Sequence, residues 1–157
     1  MKKGIFIQVY SSGFLKPGWY KGIDVQSKKE LFKNSFPCSS ETSLHYVGAV
    51  HGLMYEFKSR DWRDVYVSNP IAFDSIIEKN YDNKDFFNHN ADMIKMHDTI
   101  DRCKRWLANT SSHVTPERIS QSDYDFFLLE LEGKKEEPKI IDEKEDKEDK
   151  NGWWNKT

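Results

Sequence analysis

The chain opens on an apolar run, Ile5-Phe-Ile-Gln-Val-Tyr10, which ends at Ser11-Ser12-Gly13 and passes through Lys16-Pro17-Gly18 into two further runs. Strand-forming residues interrupted by Gly, Pro, Ser and Lys predict three strands, over residues 4–11, 19–26 and 29–36, joined as an antiparallel meander. The period then lengthens. Leu44, Val47, Val50, Met54 and Phe57 recur at intervals of three and four behind the N-cap candidates Ser39-Ser40-Glu41-Thr42, which predicts a long helix. Gly48 and Gly52 lie one turn apart within it. A helical glycine costs about 1 kcal/mol relative to alanine, so the pair predicts a face packed very closely on the sheet. Asp64-Val-Tyr-Val-Ser68 reads as a compact strand, and Pro70 suits the first turn of a helix over 71–80. Lys84 to His89 is expected to be loop, and Met93, Ile94, His97 and Ile100 mark a helix from Ala91 to Cys103. Thr115 as cap and Pro116 at the first position start a closing helix over 116–132. A meander followed by a helix and then alternating strand and helix predicts an α/β layered sheet of about five strands.

Within this order four positions stand out. Ser12 closes the first strand in Tyr10-Ser11-Ser12-Gly13, with Pro17-Gly18 beyond it. His45 lies in Ser43-Leu-His-Tyr-Val-Gly-Ala-Val-His-Gly-Leu53, Asn69 follows a strand in Val67-Ser68-Asn69-Pro70, and Asp123 follows His113 by ten residues. These motifs and their order resemble the ribonuclease H family across residues 4 to 133. There the first strand carries Asp-Gly, the first helix a Glu, a later strand ends in Asp-Ser, and a His precedes the last Asp by the same interval. The resemblance implies a mixed five-stranded sheet flanked by helices, with its fifth strand near Arg105 to Ser111, although Asn109-Thr-Ser-Ser112 is poor strand material. It also implies a catalytic pair of divalent ions at the four positions, and a mobile-loop role in product release for His113. Only Asp123 among the four is acidic.

Two divalent ions about 3.5 to 4 Å apart need several anionic oxygens to balance their charge and to align the attacking and leaving oxygens. Mg²⁺ is hard and is usually held through carboxylates together with substrate phosphate. Ser12 and Asn69 offer neutral oxygens, and His45 offers a nitrogen better matched to transition metals. Asp24, Glu41, Asp64 and Asp74 are possible stand-ins, but residues one apart on a strand face opposite ways and residues four apart on a helix move by a turn. Glu41, one turn before His45, is the best of them. No His-Glu-x-x-His, Cys-x-x-Cys, Gly-rich phosphate loop or Gly-x-Ser-x-Gly elbow is present, so no metal or cofactor is expected. The reading is therefore a catalytically inactive ribonuclease H-like binding or regulatory module. Its alternatives are a divergent nuclease using Asp123, His45 and Glu41, or a protein that holds RNA–DNA hybrid or double-stranded RNA without cutting it.

Charge bears on the partner. The 157 residues carry 24 basic and 26 acidic side chains, and up to residue 129 the balance is 17 to 16. A core so nearly neutral lacks the long-range attraction that phosphate-dominated binding uses, which favours a protein partner over nucleic acid. A local basic patch at Arg102, Lys104 and Arg105, joined by His113, keeps nucleic acid possible. Cys38 and Cys103 show no paired spacing, and Gln8 breaks the first apolar run, so a reduced cytoplasmic setting without signal peptide or membrane span is expected. Residues 134–157, rich in Lys, Glu and Asp, are expected to form a disordered tail beyond a domain of residues 1–133. Trp153 and Trp154 at its end are candidate anchors for a partner, tryptophan being a preferred interface residue.

Overall fold

The computed structural model of the chain describes residues 1–86, 90–110 and 116–135. His113, Trp153 and Trp154, and the expected tail from residue 136 on, lie outside the described residues, while residues 134 and 135 belong to the last helix. By its internal contacts the chain divides into two units, Met1–Ile119 and Ser120–Thr157.

In the first unit β1 (Gly4–Ser11), β2 (Lys16–Asp24) and β3 (Glu30–Ser39) form the expected meander. β1 pairs antiparallel with β2, Tyr10 standing opposite Trp19, and β2 pairs antiparallel with β3, Lys21 standing opposite Lys33. β4 (Asp64–Val67) lies parallel to β1, and β5 (Glu117–Arg118) lies parallel to β4. The sheet order is β3-β2-β1-β4-β5, a mixed five-stranded sheet of the ribonuclease H-like kind.

The crossover from β3 to β4 is α1 (Glu41–Ser59). Ser40 caps it in a reciprocal box, its hydroxyl accepting from the Ser43 backbone while the Ser43 hydroxyl accepts from the Ser40 backbone. The two glycines explain how closely α1 approaches the sheet. A Cβ on Gly48 would stand 2.7 Å from a methyl of Ile7 and 3.1 Å from the Tyr20 ring, and one on Gly52 would stand 2.9 Å from a methyl of Val65. Ile5, Ile7, Tyr20, Val47, Val50 and Val65 close this layer and are wholly buried. At the far end of α1, buried Glu56 accepts from both the backbone and the guanidinium of Arg63, which also reaches Asp24 at 2.7 Å.

α2 (Pro70–Glu78) starts with its proline in the first turn, as expected. A 3₁₀ turn, Lys84–Phe86, occupies the first half of the expected loop, whose remainder lies outside the described residues. Of the segment expected to hold the fifth strand, residues 105–109 are instead helical, and Ser111 lies outside the described residues. α3 (Ala91–Asn109) continues past Cys103 because Leu107 extends the buried row Met93, Met96, Ile100, Cys103, and the Thr110 hydroxyl closes the end on the Trp106 carbonyl at 2.6 Å. The fifth strand comes later and is two residues long. The expected cap Thr115 lies outside the described residues, and the helix expected from Pro116 starts later: Ile119 donates its N–H to the Val67 carbonyl at 3.0 Å, and Ser120 is the cap. In the second unit α4 (Gln121–Lys135) begins at that serine, whose hydroxyl accepts from the Asp123 N–H and whose carbonyl accepts from the Tyr124 N–H.

Candidate functional site

β1 and β4 run parallel with Phe6 opposite Tyr66, so β1 continues to Ser11 beyond the last residue of β4, and α1 begins toward the same end of the sheet. The sequence-derived positions of the first unit therefore belong to one end of the sheet. Ser12 lies just past β1, His45 in the second turn of α1, and Asn69 at the head of α2. Asp123, in the first turn of α4, belongs to the second unit.

Each of the three has a local structural role. The Ser12 hydroxyl donates to the Pro17 carbonyl at 2.6 Å, holding the turn between β1 and β2. Asn69 is the N-cap of α2, its side-chain oxygen accepting from the Ala72 N–H at 2.9 Å, while its amide reaches the Thr42 hydroxyl at 3.4 Å. That is the use an asparagine is favoured for at a helix start, and it turns the acceptor lone pairs toward the backbone. His45 is 3% exposed, and burial lowers its pKa to about 4, so the imidazole is neutral at physiological pH. Its Nε2 lies 4.0 Å from the carboxylate of Glu41.

A groove of about 690 Å³ opens at this end, lined by Ser12, Glu41 and Thr42 and by residues the sequence did not single out: Phe14, Ile71, Tyr81, Asp82 and Asp85. Tyr81 stacks on Tyr46 with ring centroids 4.3 Å apart, and burial pushes its phenol up to about 12. Of the stand-in acids, Glu41 reaches the groove. Asp24 and Asp64 sit opposite Ile5 and Gly4, at the other end of β1, roughly 20 Å away at ~3.3 Å per strand residue. Asp74 lies on the exposed side of α2.

The residues at the three positions do not suit a pair of hard divalent ions. A hydroxyl engaged on a carbonyl, a cap amide and a buried neutral imidazole supply no negative charge, and Glu41 is the one nearby carboxylate of the groove's α1 wall. Among the described residues, no three His, Cys, Asp or Glu side chains are grouped as a metal site. The basic patch is divided. Arg102 and Arg105 lie three apart along α3, whereas Lys104 turns toward Asn83, donating to its side-chain oxygen at 3.3 Å. Cys38 and Cys103 are buried free thiols. No helix among the described residues is long and apolar enough to cross a membrane.

No family model matches the chain, and no curated protein matches it. Among solved structures it is similar to ribonuclease H1 from the halophilic archaeon Halobacterium salinarum NRC-1, with a TM-score of 0.47 and 8% identity over 78% of this chain and 89% of that one. The N-terminal RNase H domain of rv2228c from Mycobacterium tuberculosis gives 0.46 and 13% over 78% and 86%. LC11-RNase H1, isolated from compost by a metagenomic approach, gives 0.46 and 12% over 81% and 89%, and its complex with RNA/DNA hybrid gives 0.44 and 11% over 78% and 88%. By the order and directions of its five strands and the helix that crosses between the third and fourth, the chain has a ribonuclease H-like fold.

Proposed function

We propose that residues 1–133 form a ribonuclease H-like domain that binds without cleaving and serves as a regulatory or adaptor module toward a protein partner. Residues 134–157 are then a charged tail whose Trp153 and Trp154 add a docking motif. The cytoplasm, where Cys38 and Cys103 stay reduced, is the compartment that fits.

The observation that carries this reading is the neutral set Ser12, His45 and Asn69 at the shared end of β1, α1 and β4. Phosphoryl transfer by two metal ions draws on anionic ligands there, and a hydroxyl, an imidazole and an amide cannot replace them. The groove supports a protein over a nucleic acid backbone. Glu41, Asp82 and Asp85 repel phosphate, and with Phe14, Ile71 and Tyr81 they match a basic side chain carried on an apolar stem.

The test is incubation with labelled RNA–DNA hybrid, the ligand seen with LC11-RNase H1, in Mg²⁺ and in Mn²⁺. The full chain leaves the hybrid intact over hours at micromolar concentration. Cleavage that disappears in both Glu41→Gln and Asp123→Asn would replace this reading with that of a divergent nuclease.

A further inference from the structure

The face of the meander turned away from α1 carries a second constellation, separate from the groove. Ile7 and Tyr20 point at Gly48 of α1, so by alternation Tyr10, Trp19, Lys21 and Lys33 share the opposite face. Tyr10 and Trp19 are direct cross-strand partners, and their rings stack with centroids 5.8 Å apart and planes 27° from parallel. Tyr10 is 51% exposed, so the stack presents a ring to solvent. The ammonium groups of Lys21 and Lys33 stand 4.9 Å and 5.3 Å from the centre of the Trp19 ring.

Lys21 and Lys33 are also directly opposite each other, and like charges so placed destabilise a sheet. Glu30, 3.5 Å from Lys21, offsets one of them. A locally unfavourable pairing beside an exposed ring is where a functional demand is to be sought. The surroundings agree in sign. Residues 1–40, which hold the meander, contain seven lysines against Asp24 and Glu30, and Asp24 is bound by Arg63; the rest of the chain has 17 basic and 24 acidic residues. The near-neutral total thus conceals a positive half-sheet.

We propose that this face is a stacking platform for single-stranded nucleic acid. An unpaired base lies on the outer face of Tyr10, itself backed by Trp19, and the adjoining phosphates are met by Lys33 and Lys21. A sheet face with stacked aromatic rings near its hairpin end and lysines beside them reads bases by their π-faces, which only unpaired strands expose. The proposal is independent of the groove and holds whether or not the chain cleaves.

The experiment is fluorescence anisotropy of labelled 12-mers of thymidine and of uridine, and of a 12-bp duplex, titrated with the full chain in 50 mM and 200 mM salt. The single strands bind more tightly than the duplex. Tyr10→Ala weakens them about tenfold, the loss of one base–aromatic stack, and Tyr10→Phe restores them. Lys33→Gln lowers the salt slope by about 0.7, the contribution of one phosphate on a single strand. Circular dichroism melts confirm that the variants fold. No binding at 100 µM protein, equal affinity for Tyr10→Ala and the parent, or equal competition by poly-glutamate would each overturn the platform.

Discussion

The buried imidazole at the head of α1 makes the stability of the fold depend on pH in a calculable way. His45 is held neutral by burial, with its pKa lowered from 6.5 to about 4. In the unfolded chain the ring takes up a proton once the pH falls below about 6.5, while the folded chain resists until about 4. The stabilisation is therefore fully present above pH 6.5, is lost progressively as the pH falls, and changes no further below about 4. A shift of roughly 2.5 units at 1.36 kcal/mol each corresponds to about 3 kcal/mol, of which about 2 is lost between pH 7 and pH 4.5. His51 acts in the same direction, burial lowering its pKa while its Nδ1 meets the Tyr20 hydroxyl at 2.7 Å. The assay must therefore be a difference: urea unfolding of the parent and of His45→Leu at pH 7, 6, 5 and 4.5. The parent loses about 2 kcal/mol more than the variant over that range. Equal losses in the two proteins, or an NMR titration of His45 in the folded chain centred near 6.5, would refute the reasoning.

Two further perturbations test the scaffold that holds the site. Arg63→Ala strands the carboxylate of Glu56, which is 1% exposed, and is expected to cost about 3–5 kcal/mol in urea unfolding, whereas Arg63→Met with Glu56→Leu recovers most of it; a loss below 1 kcal/mol from the single change would contradict the account of this ion pair. Gly48→Ala gains about 1 kcal/mol of helix propensity but drives a methyl to 2.7 Å from Ile7. A net loss of about 1–3 kcal/mol and a lower Tm are expected, and a raised Tm would show that α1 does not depend on that close approach.

The parts of the fold legible in the sequence are those whose signals are local. The run from Ile5 to Tyr10, the period of α1 and Pro70 at the start of α2 each rest on residues adjacent in the chain. β5 has no such signal. Glu117 and Arg118 are exposed, charged and only two residues long, and their strand character comes entirely from pairing with Tyr66 and Val67, some fifty positions earlier. The end of α3 is not legible locally, because Leu107 and the Thr110 hydroxyl continue and close the helix through residues that carry no strong helical signal. Ser12, His45 and Asn69 are marked out by the motifs around them, and the structure shows each in a local role: a turn, a buried helix position and a helix cap. Asp82 and Asp85 of the groove lie in loop and turn, where no periodicity marks them. Tyr10 and Trp19 meet only through the register of β1 on β2, which alternation within either strand does not reveal.

The proposed function rests on Ser12, His45 and Asn69 supplying no anionic metal ligand. Isothermal titration of the full chain with Mn²⁺, up to 10 mM and at pH 7.5, measures this directly. No saturable heat is expected from the parent, and none from Glu41→Gln or Asp123→Asn. Saturable uptake of one or two ions at micromolar to low millimolar affinity, abolished by either substitution, would contradict it.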